Sequence, residues 1–235
     1  MKKMIASDYD RTFYINDEDI ENNKKTIKKF RKAGNIFVIA TGRSYYHFMK
    51  IVKQYNIEYD YAIINHGATV IDKNNNILYN VPMNNEIIKN IKNELKLDES
   101  IDNFCCSNLE TKVPFEHKDL TKINVKYKTK KESIKMNNII NNYYSDYVTS
   151  YNITSSSIEI ISSKTNKSKT IQMLADKLDV DNKSIYTIGD GYSDIQMVKD
   201  FNGYCMKESV EELKDVAIDE CDSVSKLVNK IISEK

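Results

Sequence analysis

This chain is short of glycine, of cysteine and of any charge excess, and each shortage removes a class of function. A net charge of +1 over 235 residues leaves no global attraction to nucleic acid or to an acidic membrane surface. No apolar run approaches the roughly 20 residues that span a bilayer. The opening Met1-Lys2-Lys3-Met4-Ile5-Ala6-Ser7-Asp8 turns polar too soon for a secretory leader. A cytoplasmic location is therefore expected, with neither nucleic acid nor membrane as a partner. Cys105, Cys106, Cys205 and Cys221 form no Cys-x-x-Cys, and adjacent cysteines are poor zinc spacing, so reduced, inert thiols are expected. His47, His66 and His117 stand apart in sequence and are expected in ordinary structural or solvent-facing roles. The absence of Gly-x-x-x-x-Gly-Lys-Ser/Thr argues against a P-loop kinase.

The six glycines are unevenly spread: Gly34, Gly42 and Gly67, then none until Gly189, Gly191 and Gly203. Glycine allows tight turns and close approach of backbone to ligand. Its absence from the middle marks that stretch as a separate module. Apolar patterning agrees. Residues 4–7 read as a strand, 20–33 as a helix ending at Gly34, and 36–40 as a continuous apolar run typical of a buried parallel strand. A helix carrying Phe48, Ile51, Val52 and Tyr55 follows, then a strand at 61–64. This β-α-β-α-β order predicts an α/β fold with a doubly wound parallel sheet. A hairpin is expected over 69–79, and Pro82 is read as a hinge. An α+β module is expected over 83–162, with helices at 86–97 and 131–144 and strands at 122–128, 147–154 and 157–161. The α/β pattern resumes at Asn166 with a helix capped by Ser168, a strand at 185–188, a helix opening at Ile195 and a last helix at 224–232. The expected division is 1–82 with 163–235 as the core, and 83–162 inserted.

Two aspartate pairs carry the chemistry. Asp8 and Asp10 follow the first strand, and Asp190 and Asp194 follow the strand at 185–188. Carboxylates gathered at strand ends repel one another unless neutralised. A hard cation such as Mg²⁺, which takes oxygen ligands and often phosphate, is the natural neutraliser. Open α/β sheets bind ligands beyond the carboxyl ends of their strands. Those ends here also offer Thr12, Thr41, Gly42 and Arg43, and a helix start offers a lysine. The set suits attack by a carboxylate on a phosphorus whose oxygens are held by cation and hydrogen-bond donors.

In these residues the chain resembles a haloacid dehalogenase-superfamily phosphatase of the Cof-like group, with a C2-type cap between the second and third motifs. Asp8-Tyr9-Asp10-Arg11-Thr12 matches the Asp-x-Asp-x-Thr motif, Thr41 the second motif, and Gly189-Asp190 through Asp194 the Gly-Asp-x-x-x-Asp motif. Asn65-His66-Gly67-Ala68 matches an Asn-Gly-Ala element loosely. Lys164, Lys167 and Lys169 compete for the third-motif lysine, and Lys167 fits best.

The resemblance implies a Mg²⁺-dependent phosphomonoester hydrolase acting on a small phosphorylated metabolite, such as a sugar phosphate. Asp8 is then the nucleophile that forms an aspartyl-phosphate, and Asp10 the proton shuttle. Thr41, Gly42, Arg43 and Lys167 are the implied phosphate-binding set, with Lys167 also restraining Asp8. Asp8, the Asp10 backbone carbonyl and Asp190 are implied to hold Mg²⁺, supported by Asp194. Two positions depart from the pattern: Arg11 stands where glycine is common, and Ser193 where asparagine is common. In the insert, Phe104, Phe115, Glu116, His117 and Lys118 are candidates to face substrate, with core or surface positions the alternative. A phosphomutase of the same fold and a phospho-accepting regulatory module are the competing readings. The proton shuttle Asp10 and the large insert weigh against the second.

Overall fold

The computed structural model describes residues 2–233. The chain begins with β1 (Met4–Ser7), α1 (Asp17–Lys32), β2 (Ile36–Ala40), α2 (Tyr45–Tyr55), β3 (Tyr61–Ile64), β4 (Thr69–Asp72) and β5 (Ile77–Asn80). It continues through α3 (Asn85–Glu94), β6 (Asp102–Ser107), β7 (Glu110–Val113), β8 (Leu120–Lys126), α4 (Lys130–Tyr143), β9 (Val148–Asn152) and β10 (Ser157–Ser162). It ends with α5 (Lys167–Lys177), β11 (Ile185–Gly189), α6 (Ile195–Asp200), β12 (Asn202–Met206), α7 (Glu211–Lys214), β13 (Asp219–Cys221) and α8 (Val224–Ser233).

Two sheets result. The first has the order β13-β12-β11-β1-β2-β3-β4-β5. It is parallel from β13 to β3, and β4 and β5 close it as an antiparallel hairpin. The second, β7-β6-β8-β10-β9, is antiparallel throughout. The central parallel strands β1, β2, β3 and β11 are apolar at most positions because both faces are covered. Ile5, Phe37 and Ile39 point into one core with α1, α2 and α8. Their neighbours Met4, Ala6 and Val38 point into the other, with α5, α6 and α7.

In the second sheet, Ile123, Val125, Ile158 and Ile160 pack against α3 and α4. The alternate positions Lys122, Asn124 and Glu159 therefore face away from those helices. Phe104, Asn124, Glu159 and Tyr151 lie directly opposite one another across adjacent strands, so they form a row on that same face.

Local chemistry sets the ends of the elements. Asn16 starts α1 three residues before the predicted point, its Oδ1 accepting from the Glu18 and Asp19 N–H groups. Asp17, Glu18 and Asp19 then occupy the first turn, where acids favour the helix dipole. The cap of α5 is a correction. Asn166, not Ser168, closes that N-terminus by accepting from the Lys169 N–H, so Lys167 is the first helical residue instead of lying outside the helix. Ser168 donates its hydroxyl hydrogen to Asp200 instead. Strands β6, β7, β12 and β13 and helix α7 were not expected from sequence.

The chain crosses between the sheets at 81–83 and 162–166, and both crossings are anchored on one turn. The Val81 N–H donates to the Ala68 carbonyl at 2.8 Å, and the Thr165 hydroxyl to the Gly67 carbonyl at 2.8 Å.

Candidate active site

Strands β1, β2, β3 and β11 are parallel neighbours, so their carboxyl ends open on one side of the sheet. That side supplies Asp8 after β1, Thr41 to Arg43 after β2, Asn65 and His66 after β3, and Asp190 after β11. The second sheet lies over these ends. Between them is a cavity of about 1010 Å³, lined by Asp8, Asp10, Lys167, Asp190 and Asp194 at one end and by Phe104, Lys122, Tyr151 and Glu159 at the other.

Lys167 is the centre of the first group. It is buried, and its Nζ donates to Asp8 Oδ1 at 2.6 Å and to Asp194 Oδ1 at 2.7 Å. The competing lysines are elsewhere: Lys164 is exposed, and Lys169 donates to the Ser163 carbonyl. Asp194 Oδ2 accepts the N–H groups of Asp190 and Gly191, at 3.2 and 3.1 Å. The Thr12 hydroxyl donates to Asp190 Oδ1 at 3.1 Å, and Arg11 ion-pairs with Asp190 Oδ2.

Burial raises the pKa of Asp8 well above the ordinary carboxylate value, and the nearby Asp194 and Asp190 add to it against the pull of Lys167. Asp190 is raised by burial and by Asp194, against Arg11. The Lys167 ammonium is held above its usual value, the two carboxylates overcoming its own burial.

Asp8, Asp190 and Asp194 offer oxygens that all lie within 4.8 Å of one another. Three buried carboxylates set against Lys167 on two of them and Arg11 on the third keep an excess of negative charge. Such an all-oxygen donor set fits a hard divalent cation. The Asp10 carboxylate is not in this cluster. It is half exposed and bound in a fork by Arg43, whose Nε and Nη2 donate at 2.9 and 2.6 Å. Arg43 also lies over the Tyr9 ring, 5.3 Å from its centre. Thr41 is buried beneath, its hydroxyl oxygen accepting from the Arg43 N–H at 3.1 Å. Gly42 and Ser193 line the cavity.

The far end of the cavity went unassigned from sequence. Lys122 Nζ donates to Glu159 Oε1 at 2.7 Å and to the Gly42 carbonyl at 2.6 Å. Glu159 Oε2 lies 2.5 Å from His66 Nε2. Burial alone would raise Glu159, but Lys122 and His66 outweigh it and bring its pKa down to about 2. Burial lowers His66 despite its bond to Glu159, so a neutral ring donating from Nε2 fits best. A signal did exist: Lys122 and Asn124 alternate with apolar residues along β8, but their face could not be known to be buried. Of the insert candidates, only Phe104 lines the cavity. Glu116 pairs with Lys92, which lies over Phe115, while His117 and Lys118 stand outside.

The family profile described as haloacid dehalogenase-like hydrolase matches residues 5–116 and 106–227. A protein of Buchnera aphidicola subsp. Baizongia pistaciae, named "Putative phosphatase", is 26% identical over 272 residues, covering 100% of both chains. A Mycoplasma capricolum protein of undescribed function is 28% identical over 250 residues, covering 90% of this chain and 93% of its own. Among solved structures, a haloacid dehalogenase-like hydrolase from B. subtilis superposes with a TM-score of 0.85 at 15% identity, covering 99% of this chain and 100% of its own. One from Bacteroides thetaiotaomicron superposes with a TM-score of 0.81 at 16% identity, covering 98% of this chain and 100% of its own. At such identities these superpositions speak for the fold.

Proposed function

The chain belongs to the haloacid dehalogenase-like hydrolase family, and on that premise we propose that it is a Mg²⁺-dependent phosphomonoesterase acting through an aspartyl-phosphate on Asp8. The observation that carries this reading is the buried Lys167 bridging Asp8 and Asp194 beside Asp190, at the carboxyl ends of parallel strands.

Asp8 is the nucleophile. Lys167 holds its Oδ1, which leaves Oδ2 to attack phosphorus, and the ammonium offsets charge on the transferring group. The ester oxygen leaves with a proton from Asp10, and Asp10 then takes a proton from the water that hydrolyses the acyl phosphate. In the resting chain Asp10 is tied to Arg43. A phosphate entering beside Asp8 offers Arg43 a stronger partner and frees Asp10, which takes up from solvent the proton it then gives to the leaving oxygen. Thr41 and Gly42 shape the turn from which Arg43 projects. Asp8, Asp190 and the Asp10 backbone carbonyl would hold Mg²⁺, with Asp194 behind them. The ion, when bound, supplies Lewis-acid polarisation of the phosphoryl oxygens.

Residues 83–162 act in this reading as a cap inserted into a core made of 1–82 and 163–235. The cap closes over the site, excludes water and reads the leaving group. Ser150, Tyr151, Asn152, Thr154 and Ser155 put hydroxyl and amide groups on the cavity wall, which suits a small polyhydroxylated leaving group such as a sugar.

The test is phosphate release from an aryl phosphate and a panel of sugar phosphates, with Mg²⁺ and with chelator, beside Asp8→Asn. Turnover that requires both Asp8 and Mg²⁺ is the expected result. Stable phosphorylation without turnover, or isomerised product without free phosphate, would overturn it in favour of a regulator or a mutase.

A further inference from the structure

The loop after β1 turns at Arg11 with φ of 59°, in the left-handed region that most side-chain-bearing residues avoid. The Arg11 side chain is 73% exposed, and solvent would satisfy it. Its guanidinium instead folds back into the cavity and pairs with Asp190 Oδ2. Asp190 is buried, and its two oxygens are differently served. Oδ1 accepts from Thr12, while among the described residues Oδ2 has no hydrogen-bond donor besides the arginine that pairs with it. Lys167 hydrogen-bonds the other two carboxylates of the cluster and leaves this one to Arg11.

We propose that Arg11 is a built-in counter-ion that competes with the divalent cation for Asp190 and so weakens the chain's affinity for metal. This rests on the reading of Asp8, Asp190 and Asp194 as a Mg²⁺ site. A cation drawing on Asp190 Oδ2 meets a second positive charge at the same oxygen. Binding therefore requires the guanidinium to swing out, which its exposure permits. The Arg11–Asp190 pairing lost in that exchange is subtracted from the metal's binding free energy, as for any ligand that favours one of two states. The pairing also keeps the cluster partly neutralised while metal-free.

The test is calorimetric titration of Mg²⁺ into chelator-stripped full-length protein, without substrate, for the native chain, Arg11→Asn and Arg11→Lys. Asparagine is neutral and takes left-handed backbone readily, whereas lysine keeps the charge. Arg11→Asn is expected to bind Mg²⁺ about tenfold more tightly, and Arg11→Lys to stay within about threefold of the native chain. Added monovalent salt should narrow the gap only modestly, because it screens the exposed Arg11 while Asp190 is buried. Measurable binding with equal affinity in the native chain and Arg11→Asn would overturn the proposal and leave the metal site standing. So would an Arg11→Lys affinity as high as that of Arg11→Asn. No binding by any of the three would remove the metal reading, and this proposal with it.

Discussion

Asp8, the proposed nucleophile, is held at a cost to the fold. Burial and two like charges raise its pKa above the ordinary carboxylate value of 3.8. The folded chain thus binds that proton more strongly than the unfolded chain. The metal-free fold loses stability as pH rises from about that ordinary value through the raised one. Asp8→Asn removes the charge at nearly constant shape. It is expected to lower phosphate release by on the order of 10⁴-fold or more, as loss of a nucleophile does. In chelator its melting temperature is expected to rise, by about 2–4 °C for each kcal/mol of repulsion relieved. A thermal melt at pH 7 checks this, and an unchanged or lower midpoint would contradict it. Its place at a strand end was legible because Asp-x-Asp-x-Thr directly follows an apolar strand. The fork between Asp10 and Arg43 was not. It joins residues 33 positions apart, and no local pattern announces which cation a half-exposed aspartate will meet.

At the scale of elements, Gly67 ties the machinery together. Its φ is +110°, and a Cβ there would lie 2.4 Å from the Asn166 carbonyl carbon and 2.5 Å from the carbonyl oxygen. Asn166 caps α5 and sets Lys167 in place, so backbone pressed against Gly67 positions the lysine that holds Asp8. Gly67→Ala is expected to destabilise the chain by about 2 kcal/mol or more, and to lower kcat more than a remote substitution of equal stability cost. Urea denaturation with parallel steady-state kinetics would show it, and a variant with native stability would refute it.

The long, strongly patterned elements were legible: β1, β2, β3 and helices α1, α2, α4 and α8 form close to where apolar spacing puts them. Of the missed strands, β6, β7 and β13 are short or polar, and β12 opens on Asn202-Gly203, which reads as a turn. Asp102–Ser107 carries only three apolar residues, and Asp219–Cys221 is a three-residue strand that, among the described residues, pairs with β12 alone. Their extended form comes from a neighbour's hydrogen bonds, not from their own propensity. The misplaced cap has a similar cause. Asn166 and Ser168 are both good capping residues, and the choice fell to the one that brings Lys167 to the carboxylates.

For the whole molecule, the contact that matters is Lys122–Glu159–His66 with the Gly42 carbonyl, which joins the polar face of the second sheet to the strand ends of the first. Glu159 is nearly fully buried, and its pKa falls from an ordinary 4.5 to about 2. That gap corresponds to roughly 3 kcal/mol. Because the folded value is depressed, the stabilisation is fully present above pH 4.5 and is lost as pH falls toward 2. Glu159→Gln leaves Lys122 buried without its counter-charge. It is expected to cost about 3 kcal/mol at pH 7, near the usual cost of breaking a buried ion pair. The difference from the native chain should shrink between pH 4.5 and pH 2. Chemical denaturation of both chains across that range measures it, and a difference independent of pH would count against the ionised pair.

The sequence by itself determined the α/β class, the order of the motifs and the residues that carry charge at the strand ends. Those follow from local facts: apolar periodicity, the covering of both faces of a parallel strand, and the repulsion among nearby carboxylates. Lys167 was already the preferred lysine in sequence; only the tertiary structure decided that Arg11 turns back onto Asp190, and that the hydrophilic side of β8 is buried over the site. Each is a pairing between distant residues. Its free energy depends on burial and separation that exist only after the sheets have packed.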